Sequence, residues 1–174
     1  GTNGKSTTTR LSEALLLNEG LSVGAYLSPH VRGWSERIRV DGRDADFEAA
    51  VERVRPHAGD ATQFEILTAA ALCAFADAAV DVAVVEAGLG GRHDATNVLR
   101  TRVVVLTNVA LDHMEVLGET REEIAAEKLA VVRPGCVVVL GDPEWEGLAR
   151  ENGAAAVELP GASNLALAVA PPRC

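Results

Sequence analysis

Chemistry concentrates first at the N-terminal end of the chain, where GTNGKST sets Lys5, Ser6 and Thr7 directly behind a glycine-rich turn. Gly1, Thr2, Asn3, Gly4, Lys5, Ser6 and Thr7 form the GK[ST] half of a phosphate-binding loop. In such a loop backbone amides and a helix N-terminus cradle phosphates, the lysine neutralises them and the hydroxyl holds magnesium. ATP is the expected nucleotide, although the loop alone does not choose among triphosphates and an ordinary glycine-rich turn has a similar composition. Two further groups could join it. Glu86 ends an apolar strand pattern and runs into AGLGG, where the backbone can approach a phosphate or a metal closely. A strand-end acid suits magnesium; a carboxylate at a solvated edge is the plainer alternative. His113 follows Asp112 in a loop, and because magnesium prefers oxygen the residue types alone leave its role open.

Lysine usage points the same way. The chain has fourteen arginines and two lysines, Lys5 and Lys128. Arginine can replace lysine on a solvated face, but not where a compact ammonium must fit a phosphate loop or where the side chain must lose its proton. Lys128 could equally form a surface ion pair. The three cysteines, Cys73, Cys136 and Cys174, are scattered and lack a CxxC pair. They read as inert thiols in a reducing compartment, so a cytoplasmic location is expected. A net charge of -9 without a basic stripe argues against nucleic acid, and no apolar run reaches the roughly 18 residues of a membrane helix. The partners expected are small molecules, and the chain is expected to be a monomer.

These groups need rigid elements beneath them. At 174 residues the chain is long enough for one domain with a substantial core. Helical spacing of Leu11, Leu15 and Leu16 ahead of Gly20 predicts a helix over 5–19. A short strand is predicted over 22–27, a hairpin at 38–42 around Asp41-Gly42, and a helix over 46–55 capped by Asp46. An Ala-rich helix over 63–79 leads into a buried strand over 81–86; a second buried strand over 102–109, a helix over 121–132 and a strand over 136–140 repeat the arrangement. This alternation predicts an α/β fold, a mostly parallel sheet of P-loop NTPase type with helices on both faces. In such sheets ligands sit beyond the carboxyl ends of the strands, where the loops at 1–6, 86–97 and 107–113 fall.

The motifs GTNGKST, SPH at Ser28, Pro29 and His30, ERI at 36–38, QFEILTAAAL, VVEAGLGGRHDATN, LTNVALDHMEVLG and EKLAVVRPG occur in an order that resembles the Mur ligase superfamily. Within it they are most similar to the dihydrofolate synthase and folylpolyglutamate synthase family, over nearly the whole chain. The resemblance implies an ATP-dependent amide ligase that activates a carboxylate as an acyl phosphate, which the amine of L-glutamate then attacks, with dihydropteroate or a folate as co-substrate. It implies ATP and Mg2+ as cofactors. Ser6, Glu86 and His113 resemble the magnesium ligands, Lys5 the phosphate-loop lysine and Lys128 the carbamylated lysine, whose modification turns a cation into an anion. Ser28, Pro29, His30 and Phe64 resemble residues bordering the pterin-bearing substrate, although a tight turn and simple core packing would explain them as well. Asn164 resembles an asparagine that approaches the nucleotide.

One departure bears on the substrate. Folate members usually carry an extra glycine between the lysine and the hydroxyl residue, whereas Lys5 is followed directly by Ser6, as in the ligases of peptidoglycan precursors. The organisation expected is an ATP-binding central domain over 1–170 whose first strand precedes Gly1, the start of a linker at 171–174, and a C-terminal ligase domain outside the chain. A ligase for another carboxylate and a nucleotide-binding fragment without turnover remain the alternatives.

Overall fold

Helix α1 (Lys5–Asn18) begins where the phosphate-loop pattern ends. Gly4 supplies the turn into it with φ 71°, a left-handed value that glycine adopts without a Cβ clash, and the Thr8 N–H donates to the Gly4 carbonyl at 2.9 Å. The helix stops at Gly20, φ 82°, where Leu21 N–H reaches back to the Leu16 carbonyl in the pattern expected of a C-terminal glycine. The computed structural model describes residues 4–160; Gly1, Thr2, Asn3, Asn164 and the 171–174 segment lie outside them.

By contact the chain divides into two units, Thr9–Gly88 and Gly1–Thr8 with Leu89–Cys174. In the first, strands β1 (Val23–Tyr26), β2 (Ile38–Val40) and β3 (Arg43–Asp44), helices α2 (Phe47–Val54) and α3 (Gln63–Asp77), and strand β4 (Val82–Val85) follow in order. The sheet order is β3-β2-β1-β4. β1 runs parallel to β4 with Val23 opposite Val82, and antiparallel to β2 with Gly24 opposite Val40. The β2–β3 hairpin turns at Asp41 and Gly42, both at positive φ, as the Asp-Gly pair predicts. Asp46 caps α2 by accepting from Ala49 N–H at 3.0 Å, and Thr62 with Glu65 forms a capping box on α3. Tyr26, Ile38, Leu67, Ala70, Ala71 and Phe75 make the core.

The second unit is wholly parallel. Strand β5 (Val103–Leu106), helices α4 (Met114–Leu117) and α5 (Arg121–Leu129), strand β6 (Val137–Leu140), helix α6 (Glu146–Glu151) and strand β7 (Ala156–Glu158) form a sheet in the order β5-β6-β7. Val103 faces Val137, and Val137 faces Ala156. Ile124, Ala125, Leu129, Val138, Leu140 and Trp145 fill its core.

Two expectations change. The strands at 81–86 and 102–109 read as buried, yet Ala83, Val103 and Val105 are exposed, because among the described residues β4 and β5 are each the end strand of their own sheet. α4, α6 and β7 had no counterpart in the sequence reading, since each is too short to establish a period. No helix among the described residues is long and apolar enough to cross a membrane.

Gly24 shows how tightly α3 lies on the first sheet. A Cβ there would stand 2.5 Å from Phe75 Cδ1 and 2.6 Å from Cγ, closer than real contacts allow. Gly24→Ala is therefore expected to lower unfolding free energy by about 1–3 kcal/mol through overpacking, measured by urea denaturation. Phe75→Leu in the same chain should recover part of that loss, and equal stability of Gly24→Ala and wild type would contradict the packing.

Candidate functional site

The loop joining β4 to β5 is built on glycine and a buried aspartate. Asp94, which no site reading singled out, accepts Leu89 N–H at 2.9 Å through one carboxylate oxygen and Thr96 N–H and Oγ1–H, at 2.9 and 2.6 Å, through the other. The Asp-Ala-Thr spacing was its signal, because an aspartate readily receives the N–H two residues on. Gly91 then lies against the last turn of α5: a Cβ on it would stand 2.5 Å from the Lys128 carbonyl oxygen and 2.7 Å from that of Glu127. Arg92 N–H donates to the Glu127 carbonyl at 3.2 Å, and its guanidinium meets the Glu127 carboxylate at 3.3 Å. The glycine-rich loop and the end of α5 thus form one clasp, and the clasp fixes the backbone that carries Lys128.

α5 is well anchored at its other end. Thr120 and Glu123 make a capping box, and Arg121 reaches Asp142 at 3.2 Å and Glu144 at 2.8 Å. Lys128 is half-buried and its amine is held below its ordinary pKa, first by burial and then by the positive charge of Lys5, with the Asp112 carboxylate pulling the other way. The two lysines of the chain therefore sense one another. Asp112 was read from the sequence only as the neighbour of His113; here its carboxylate acts on Lys128.

His113 occupies the N-cap of α4 in a left-handed conformation, φ 54° and ψ 43°. Its imidazole is 54% exposed, with Nε2 3.8 Å from Asp112 Oδ1, so it remains accessible to a ligand. Lys5 and Ser6 lie in the first turn of α1, and the Thr7 side is exposed.

In the unit of residues 9–88, Glu86 follows β4 and is 4% exposed. One of its carboxylate oxygens accepts Ser28 N–H at 3.1 Å, joining the loop after β1 to the end of β4. Ser28–Pro29 is a cis peptide and Pro29 is exposed. His30 Nδ1 accepts from Arg37 Nε at 3.0 Å. Phe64 is partly buried, packs on the core and lies 5.9 Å from the Tyr26 ring, in keeping with the core alternative. Among the described residues no three His, Cys, Asp or Glu side chains gather into a metal cage.

The lowered pKa of Lys128 has a definite sign. Between its folded value and 10.5 the folded chain holds fewer protons on this amine than the unfolded chain, so its contribution to stability rises with pH across that window. An NMR titration of labelled lysine should give a Lys128 midpoint below 10.5; Lys5→Met should raise it and Asp112→Asn lower it further. Midpoints indifferent to both changes would refute the coupling. Gly91→Ala should destabilise the protein by about 1–3 kcal/mol and disturb the Lys128 signal, whereas a variant with an unmoved signal would dispose of the clasp.

Comparison with known proteins bears on the same residues. Residues 1–166 match the Mur ligase middle domain. The dihydrofolate synthase/folylpolyglutamate synthase of Haemophilus influenzae is 45% identical over 147 residues, 82% of this chain and 34% of that one. Its counterpart in Escherichia coli K12 is 41% identical over 163 residues, 88% of this chain and 39% of the other. E. coli FolC in complex with DHPP and ADP superposes with a TM-score of 0.82 at 39% identity, over 88% of this chain and 39% of that chain. A synthase of the same bifunctional type with Mn, AMPPNP and L-glutamate bound gives 0.81 at 40% identity, over 88% of this chain and 40% of that chain. The chain thus spans between a third and two-fifths of the length of these relatives. With an α/β fold, a phosphate-loop helix and a family match over nearly its whole length, the chain belongs to the Mur ligase middle-domain family.

Proposed function

We propose that this chain is the ATP-binding central part of a cytoplasmic ligase that adds L-glutamate to dihydropteroate, to folates, or to both. The observation that carries the proposal is the half-buried Lys128 amine, depressed by its burial and by the Lys5 charge, on a helix clasped by the GLGGR loop. Depression of the pKa supplies the neutral amine that carbamylation requires. Its nitrogen lone pair would bond to the carbon of CO2, one C=O pair would move to oxygen, and the departing amine proton would pass to solvent. The residue then changes from cation to anion beside a phosphate loop, where it can meet magnesium.

In this reading Gly1, Thr2, Asn3, Gly4, Lys5, Ser6 and Thr7 receive the phosphates, with Lys5 balancing the charge that builds on the transferring group. Ser6, Glu86 and His113 would hold magnesium, which draws electron density from the phosphoryl oxygens when bound. A substrate carboxylate oxygen bonds to the γ-phosphorus as the bond to ADP breaks. The glutamate amine next bonds to the acyl carbon, inorganic phosphate leaves with the C–O electron pair, and the amine gives up a proton. Ser28, Pro29, His30 and Phe64 would border the pterin-bearing substrate, and Asn164 the nucleotide. The relatives named dihydrofolate synthase/folylpolyglutamate synthase and the structures holding ADP, AMPPNP, DHPP or L-glutamate support this choice. One observation favours a second reading: Lys5 is followed directly by Ser6, the loop pattern of ligases for peptidoglycan precursors.

Phosphate release from ATP by the full-length protein separates these readings. Release is expected to need glutamate together with dihydropteroate or tetrahydrofolate, and to fall at least a hundredfold in Lys5→Ala and Lys128→Ala, on the order of the loss of one preorganised charge contact. Release with a muropeptide precursor alone would move the protein to the second reading, and no release with any pair would leave a nucleotide-binding module. Carbamylation itself is expected to give a 13C signal from labelled bicarbonate that is lost in Lys128→Ala.

A further inference from the structure

The loop after β1 carries a side-chain cluster of which the proposed site uses only His30. Arg37 lies at its centre. Its Nε donates to His30 Nδ1 at 3.0 Å, and its guanidinium carbon stands 4.8 Å from the centre of the Trp34 ring. The His30 and Trp34 rings are 4.2 Å apart, and Trp34 stacks in turn on Phe47 at 6.4 Å. The cluster rests on a fixed backbone. The Arg37 carbonyl accepts Leu27 N–H at 2.9 Å, next to the end of β1, and Ile38 beside it opens β2.

The same loop is closed by the buried carboxylate of Glu36, which accepts N–H groups from Arg32 and, at 3.0 Å, Gly33. Burial alone would raise its pKa. Those two N–H groups, that of Val31 and the Arg32 charge outweigh burial and hold the carboxyl below its usual value, so the closure stays ionised at neutral pH.

The geometry fixes the state of His30. A guanidinium has donors and no acceptor, so the nitrogen facing it must carry a lone pair. A protonated imidazole has no lone pair and would set its positive charge against that of Arg37. His30 is therefore neutral with its proton on Nε2, on the far side of the ring, and among the described residues Nε2 makes no hydrogen bond. Two residues earlier, Ser28 N–H is bonded to Glu86, so this donor belongs to the end of the sheet where ligands of such folds bind.

We infer that Arg37 is a positioning residue that holds His30 as an Nε2–H donor to a carbonyl or carboxylate oxygen of the pterin-bearing substrate. This rests on the ligase reading above. A neutral donor suits a carboxylate that must act as a nucleophile, because it orients the oxygen without the charge neutralisation that a cation would impose. Trp34 keeps the guanidinium in place through its ring face.

The test uses the full-length protein with 15N-labelled histidine. Wild type should show His30 with an unprotonated Nδ1 and a protonated Nε2 at neutral pH, and Arg37→Met should show a mixture of tautomers. In kinetics, His30→Gln sets an amide N–H near the place of Nε2 and is expected to keep the KM for dihydropteroate or tetrahydrofolate within about threefold of wild type. His30→Asn reaches only the place of Nδ1 and should raise that KM roughly tenfold, the scale of one lost hydrogen bond to an unsatisfied partner, with the KM for ATP unchanged. Arg37→Met should behave like His30→Asn. A protonated Nδ1 in wild type, or a tautomer unmoved by Arg37→Met, would overturn the role of Arg37. The expected tautomers with equal KM in the glutamine and asparagine variants would overturn donation to the substrate. Should wild type turn over neither pterin substrate while the tautomers are as expected, the ligase reading fails and takes substrate donation with it, and the hold of Arg37 on His30 stands on the NMR result.

Discussion

The proposed chemistry depends on a cost that the fold imposes on one amine. Lys128 is half-buried near a second lysine, and both conditions disfavour its charge. On a solvated face the same residue would keep its proton and pair with a carboxylate for little gain in stability. The neutral form becomes accessible only because α5 is held at both ends, by the Thr120–Glu123 box and the Arg121 ion pairs at its start and by the Gly91 contact at its finish. If α5 could slide outward by a fraction of a turn, Lys128 would rehydrate and the constraint would disappear. The absence of side chain at Gly91 is thus a condition for the electrostatics of Lys128, and a position without a functional group controls one that has it.

Carboxylates organise the loops in both units by the same means. Asp94 gathers Leu89 and Thr96, Glu36 gathers Arg32 and Gly33, and Glu86 takes Ser28. Each is buried and accepts loop backbone N–H groups that would otherwise lack partners. An ionised carboxylate is a strong acceptor for such groups, and its charge is stabilised by them in return. Glu86 thereby combines two tasks. It ties the loop after β1 to β4, and in the proposed site it would also offer an oxygen to magnesium.

The sequence was most legible where the constraint is local. The helix begun at Lys5 and ended at Gly20, the Asp41-Gly42 hairpin and the Asp46 cap follow from local spacing and from turn or cap residues beside each element. Lys5, Ser6 and Glu86 were singled out on equally local grounds, because loop composition and the end of an apolar run mark them directly. What depends on packing between distant segments was not. Asp112 as the acidic neighbour of Lys128, and Gly91 against its carbonyl, join positions sixteen and thirty-seven residues apart by the numbering. The exposure of Val103 and Val105 was misread because four valines and leucines in a row look identical in a central strand and an end strand; only the sheet order distinguishes them.

The His30–Arg37 pair extends this argument from existence to protonation state. SPH and ERI stand close in sequence, and their order gave the substrate-loop assignment, but nothing in the letters says that an arginine donor would face the histidine. Once it does, the tautomer follows from the donor and acceptor inventory alone, because Arg37 can only give a hydrogen bond and Nδ1 must receive it. Replacing Arg37 by lysine would keep a cation and a donor but lose the flat guanidinium that stacks on Trp34. A lysine ammonium would be free to leave Nδ1 for water, and the proton on the ring could then move to either nitrogen. The planar, donor-only character of arginine is therefore what turns a nearby histidine into a donor of fixed direction.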